Sequence, residues 1–94
     1  MITAIVLIKT DVDRIPEVAM TLAELDGVAE VYSVTGDVDL VALVRVREHD
    51  ELAGVIADRI GKIGHIRETT TYLAFRAYSR HDLEAAFDLG LGDD

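Results

Sequence analysis

Thr35-Gly36-Asp37-Val38-Asp39 is the segment of this chain best suited to chemistry, because it sets two carboxylates beside a turn glycine. A glycine there permits a backbone conformation in which N–H groups point outward. Amides and carboxylates exposed together suit a zwitterion, whose ammonium meets a carboxylate and whose carboxylate meets N–H or hydroxyl groups. A second polar cluster, Thr69-Thr70-Thr71, opens a strand-like run, and strand alternation puts the hydroxyls of Thr69 and Thr71 on one face, where they could hold a carboxylate. Each segment has a plain structural alternative: the first is also an ordinary hairpin turn, and threonine is a favoured strand residue without any ligand.

Other chemistries find little support. The chain has no cysteine, which removes disulfides, thiolate metal sites and a cysteine nucleophile. His49, His65 and His81 fall at three separate element starts with no metal-ligand spacing. Ser33, His65 and an aspartate can be drawn as a catalytic triad, but no nucleophile-elbow glycines surround the serine. No catalytic residue, metal or cofactor is therefore expected. Eighteen acidic residues against nine basic give a net charge of -9, which repels phosphate backbones and argues against direct nucleic-acid binding. The opening MITAIVLIKT is too short to span a bilayer and lacks the features of a signal peptide, so no membrane association is expected and a cytoplasmic location fits.

The elements that must position these residues follow from apolar periodicity. Ile2 to Ile8 reads as a strand covered at least partly on both faces. Thr10 to Asp13 supplies turn and capping chemistry, and Pro16 suits a first helical turn, so a helix should start near Arg14. Ile15, Val18, Ala19, Leu22 and Leu25 give that helix one apolar side until Asp26-Gly27 ends it. Val28 to Thr35 and Asp39 to Val46 are valine-rich runs joined by Gly36-Asp37-Val38, which predicts an antiparallel hairpin. His49-Asp50 starts a second helix with the stripe Leu52, Val55, Ile56, Ile60 and Ile63, ended by Gly61 and Gly64. Ile66 to Tyr78 is the longest strand-like run, long enough that part of it should leave the parent sheet. Ser79 with Asp82 behind it predicts a short final helix to about Phe87, followed by a frayed acidic end.

The order β-α-β-β-α-β predicts an α+β, ferredoxin-like domain: a four-stranded antiparallel sheet with two helices on one face and a short C-terminal helix. A single domain over residues 1–88 and a flexible acidic tail at 89–94 are expected, since 94 residues that are half apolar can bury one two-layer core. Val31, Leu7, Val44, Leu73 and their neighbours cannot all face the two helices. The opposite sheet face is left uncovered, and an uncovered apolar face is usually an interface. Isologous pairing hides it most simply, giving at least a homodimer of barrel-like form, with strand-end exchange through the long last strand.

Gly27-Val28-Ala29-Glu30-Val31-Tyr32-Ser33-Val34-Thr35-Gly36-Asp37-Val38-Asp39-Leu40 resembles a pattern of the Lrp/AsnC C-terminal domain, a glycine-valine, a strand, then Val-Thr-Gly-Asp-aromatic-Asp. Ile66-Arg67-Glu68-Thr69-Thr70-Thr71-Tyr72 is similar to that family's Val-x-x-Thr-x-Thr before its last strand, and the resemblance covers essentially residues 1–79. It implies a RAM domain, whose ferredoxin-like dimers assemble into tetramers, octamers or similar rings and bind small amino acids between dimers. It implies ligand contacts at Thr35, Gly36, Asp37, Asp39, Thr69 and Thr71, with Val34 and Leu40 shaping the pocket. Val38 replaces the usual aromatic, and Gly64-His65 stands where Pro-Gly is common. The family's full-length regulators place a helix-turn-helix domain before this module, whereas this sequence begins at the module's first strand, resembling stand-alone RAM proteins.

The function expected from that resemblance is effector binding and oligomerisation, with a DNA-binding Lrp/AsnC regulator as a further partner. Two alternatives stand beside it. One is a small dimeric enzyme of the cofactor-free monooxygenase type, which needs a sizeable pocket with convergent polar and aromatic groups; the chain has only two phenylalanines and three tyrosines. The other is a purely structural oligomer.

Overall fold

A computed structural model describes residues 1–78 and Arg80. Strand β1 (Ile2–Thr10) is followed by a 3-10 turn (Val12–Arg14) and helix α1 (Ile15–Ala23) with Pro16 in its first turn. Strands β2 (Val28–Ser33) and β3 (Leu40–Val46) come next, then helix α2 (His49–Ala53), which runs on through wider π-type turns (Gly54–Arg59) and a 3-10 turn (Ile60–Lys62). Strand β4 (Ile66–Leu73) completes a four-stranded sheet in the order β2-β3-β1-β4, antiparallel throughout. This is the expected βαββαβ ferredoxin-like topology. No helix among the described residues is long and apolar enough to cross a membrane.

Strand alternation divides the sheet into two unlike faces. Ala4, Val6 and Ile8 of β1 and Leu40, Ala42, Val44 and Val46 of β3 point to the helices and are buried with Val18 and Leu22 of α1 and Val55 and Ile60 of the second helical segment. The periodic stripes behave as their spacing demands: Ile15, Ala19, Leu25, Leu52, Ile56 and Ile63 pack around that core. Gly27, with φ +95°, admits the close approach of β2 to the second helix, since a Cβ there would lie 2.6 Å from Val55 Cγ2.

The other face carries Ile5 opposite Leu43 and Leu7 opposite Val41, all only partly covered. Tyr32, across from Val41, and Tyr72, across from Ile5, flank them at 48% and 56% exposure. Of the four residues used to argue for an uncovered face, Leu7 lies on it. Val44 is buried beneath the helices, Val31 packs against that same core, and Leu73, opposite Ala4, sits on the poorly covered outer strand.

The hairpin connection and the first helical cap differ from expectation. The hairpin connection is a six-residue loop, Val34 to Asp39, because β2 stops at Ser33 and β3 starts at Leu40. Strand β4 stops at Leu73, so the end of the Ile66–Tyr78 run leaves the parent sheet, as its length suggested. Its neighbour β1 runs out there: Ala74 N–H still donates to Thr3 O at 2.8 Å, but residues beyond it have no strand alongside, so β-favouring side chains go unpaired. The side-chain capping expected of the Thr10–Asp13 segment does not occur; the Asp11 carboxylate instead contacts His65 and Arg67, as described below. Apart from Arg80, the expected final helix, Ser79 to Phe87, and the 89–94 tail lie outside the described residues.

Candidate functional site

At one end of the sheet the close of β1, the start of β3 and the start of β4 lie side by side, with the 34–39 loop beside them. The loop is closed by Val34 N–H donating to Asp39 O at 3.1 Å, and it is pinned to β1 by Asp39 N–H donating to Ile8 O at 2.9 Å. The next rung of the β1–β3 ladder is completed by a side chain: Thr10 N–H, in a buried residue, donates to Asp39 Oδ2 at 2.9 Å. A buried amide left without an acceptor costs about 1–3 kcal/mol, so this carboxylate has a structural task whatever else it does. Gly36 adopts φ +115°, with nothing within 4 Å of the position a Cβ would take, so one side of its backbone faces open space.

A cleft of about 420 Å³ opens here, lined by Lys9, Thr10, Val12, Asp37, Asp39, Arg67 and Glu68. That volume lies in the range of roughly 300–1,000 Å³ typical of small-molecule sites. Both charge signs line it. Lys9 Nζ is 3.4 Å from Glu68 Oε2 on the neighbouring strand, whereas Arg67 Nε is 3.8 Å from Asp11 Oδ1, too far for a hydrogen bond. The other Asp11 oxygen, Oδ2, lies 3.2 Å from His65 Nδ1, and Asp11 N–H donates to His65 O at 2.9 Å. His65 itself adopts a left-handed φ of 71°, uncommon for a residue with a side chain. Among the described residues Asp37 has no hydrogen-bond or ion-pair partner for its carboxylate.

The expected site residues are thus only partly gathered. Asp37 and Asp39 line the cleft, while Thr35 and Gly36 are exposed on the same loop but outside the lining. Thr69 and Thr71 do share one face, opposite Ile8 and Val6, and both are exposed on the outer strand, yet neither lines the cleft. Val34 is half-buried, and Leu40 is fully buried in the core, where it holds the end of the loop from beneath and presents no surface to a ligand. Lys9, Thr10, Val12, Arg67 and Glu68 are the lining residues not expected at the site from the sequence. Arg67 and Glu68 belonged to the segment that carried the threonine pattern, and their charge within it was the available signal.

A larger cleft of about 600 Å³ lies at the opposite end of the sheet, lined in part by Gly27, Arg47, Asp50 and Arg59. Its Arg59 Nη1 already donates to the main-chain oxygen of Asp26 at 2.6 Å. Among the described residues no three His, Asp or Glu side chains gather as a metal site.

The profile of the family described as "Lrp/AsnC ligand binding domain" matches residues 3–83. The HTH-type transcriptional regulator FL11 of Pyrococcus horikoshii is 33% identical over 75 residues, covering 80% of this chain and 49% of that protein. The chain thus spans about half the length of the curated relatives it matches. The crystal structure of TTHA0845 from Thermus thermophilus superposes with a TM-score of 0.80 at 50% identity, over 85% of this chain and 100% of that one. That of Escherichia coli AsnC gives a TM-score of 0.78 at 25% identity, over 83% of this chain and 53% of that one. Motif, topology and similarity agree, and the chain belongs to the Lrp/AsnC ligand-binding domain family.

Proposed function

We propose that this chain is an effector-binding and assembly module that takes a small amino acid in the cleft beside the 34–39 loop and oligomerises through its open sheet face. The observation that carries the reading is the cleft itself, whose lining includes both the carboxylates of Asp37 and Asp39 and the cations of Lys9 and Arg67. A zwitterion satisfies both signs at once, whereas a simple cation or anion satisfies one and is opposed by the other. The relatives named as HTH-type transcriptional regulators support a regulatory setting.

The partly covered patch of Ile5, Leu7, Val41 and Leu43, bordered by Tyr32 and Tyr72, suits a second copy of the chain in a homodimer, with dimers joining into tetramers, octamers or similar rings. Ligand at such a joint would favour one assembly by its difference in affinity between assemblies. Mixed assembly with a DNA-binding Lrp/AsnC regulator would pass that change on to transcription.

A second reading, an oligomer without a ligand, is favoured by one observation: Asp39 already serves the fold through Thr10. Light scattering and thermal melting of the protein with each of the twenty amino acids separate the two. A rise in melting temperature with a change in mass, specific to one or a few amino acids, is expected of a sensor, because ligand bound only to the folded state stabilises it by mass action. A stable oligomer indifferent to all twenty would leave the structural reading in its place.

A further inference from the structure

We propose that Arg67 is the carboxylate-selecting residue of the cleft, and that it fixes the ligand's orientation, carboxylate toward β4 and ammonium toward Asp37. The inference rests on the amino-acid reading above and adds to it a polarity and a residue outside the family's threonine and glycine-aspartate patterns.

Two cations line the cleft, and they differ in availability. Lys9 is matched across the β1–β4 pair by Glu68 at 3.4 Å. Arg67 stands where the β1–β4 register shifts: Lys9 pairs with Glu68, but Thr10 pairs with Ile66. The extra residue lifts Arg67 out of the ladder, and its side chain is 72% exposed. Its one carboxylate neighbour within 4.0 Å among the described residues is Asp11, at 3.8 Å from Nε. Asp11 is meanwhile engaged with His65 through its other oxygen and its main-chain N–H.

Arg67 therefore lines the cleft without its donors being taken up by hydrogen bonds among the described residues. A guanidinium offers paired N–H groups that match a carboxylate in two parallel bonds, which a lysine ammonium cannot reproduce. Of the two loop carboxylates in the lining, Asp39 spends Oδ2 on Thr10, which leaves Asp37 as the one with both oxygens available to an ammonium. Thr69 and Thr71, outside the lining, are not required for this recognition.

The test compares binding of each of the twenty amino acids and its C-terminal amide, which keeps the ammonium and loses the carboxylate, by calorimetry on the wild type, Arg67→Gln and Arg67→Lys. The wild type is expected to bind at least one amino acid more than tenfold better than its amide. Arg67→Gln should weaken that amino acid at least tenfold while leaving the amide unchanged, so that the preference collapses, and Arg67→Lys should recover only part of it. The exposed position makes both variants compatible with the fold, and unaltered melting of the unliganded proteins checks this. If the wild type binds an amino acid and Arg67→Gln binds it equally well, or keeps the preference over the amide, the assignment of Arg67 is overturned while the amino-acid reading stands. If the wild type binds none of the twenty, the reading itself falls, and this assignment with it.

Discussion

The two faces of the sheet are built from alternate residues of the same strands, yet they have opposite relations to the rest of the molecule. Val6 and Ile8 are wholly buried under the helices, while Ile5 and Leu7, their immediate neighbours in β1, are only partly covered. Residue type does not separate them, since both sets are aliphatic. The difference is one of what lies above each face, so apolar character on the helix side serves folding of one chain, and on the other side it is surplus to that need. Surplus apolar area at the centre of a sheet is what a second copy can bury.

Ile8→Ala, on the covered side, should have the largest effect on the fold, lowering stability by about 2–5 kcal/mol through lost burial and a residual cavity, read as a drop in the denaturant midpoint. Asp39→Ala, at the junction of fold and site, should cost about 1–3 kcal/mol because Thr10 N–H loses its acceptor, and this loss should appear with no ligand present. Leu43→Lys, on the open side, should change the stability of the single chain least, within roughly 0.5 kcal/mol, while converting the assembled protein to a monomer on light scattering. If Leu43→Lys instead unfolds the chain and leaves no folded monomer, the division of labour between the faces is wrong.

The element order was legible because it depends on period: two amphipathic helical stripes and four β-rich runs can be stacked in few ways. What was not legible depended on neighbours. Phe75 and Tyr78 look like strand residues, but the pairing of β4 with β1 stops where Ala74 meets Thr3, and Phe75 stands 96% exposed past the last rung. The widened turns from Gly54 to Arg59 were hidden because apolar residues three or four apart satisfy several helical pitches. In the site, Asp37 and Asp39 were visible as a pair. The bond from Thr10 to Asp39 and the lifted Arg67 both depend on strand register, which one chain's letters do not state.

The carboxylate that completes the β1–β3 ladder has an evolutionary consequence. Position 39 would resist substitution in a ligand-free oligomer as firmly as in a sensor, because losing the acid unsettles the end of the sheet before any effector is involved. Positions 37 and 67, exposed and outside the ladder, carry no such burden. In a saturation library scored separately for folding and for effector response, position 39 reports on architecture, and the contrast between the two scores at 37 and 67 reports on selection for a ligand.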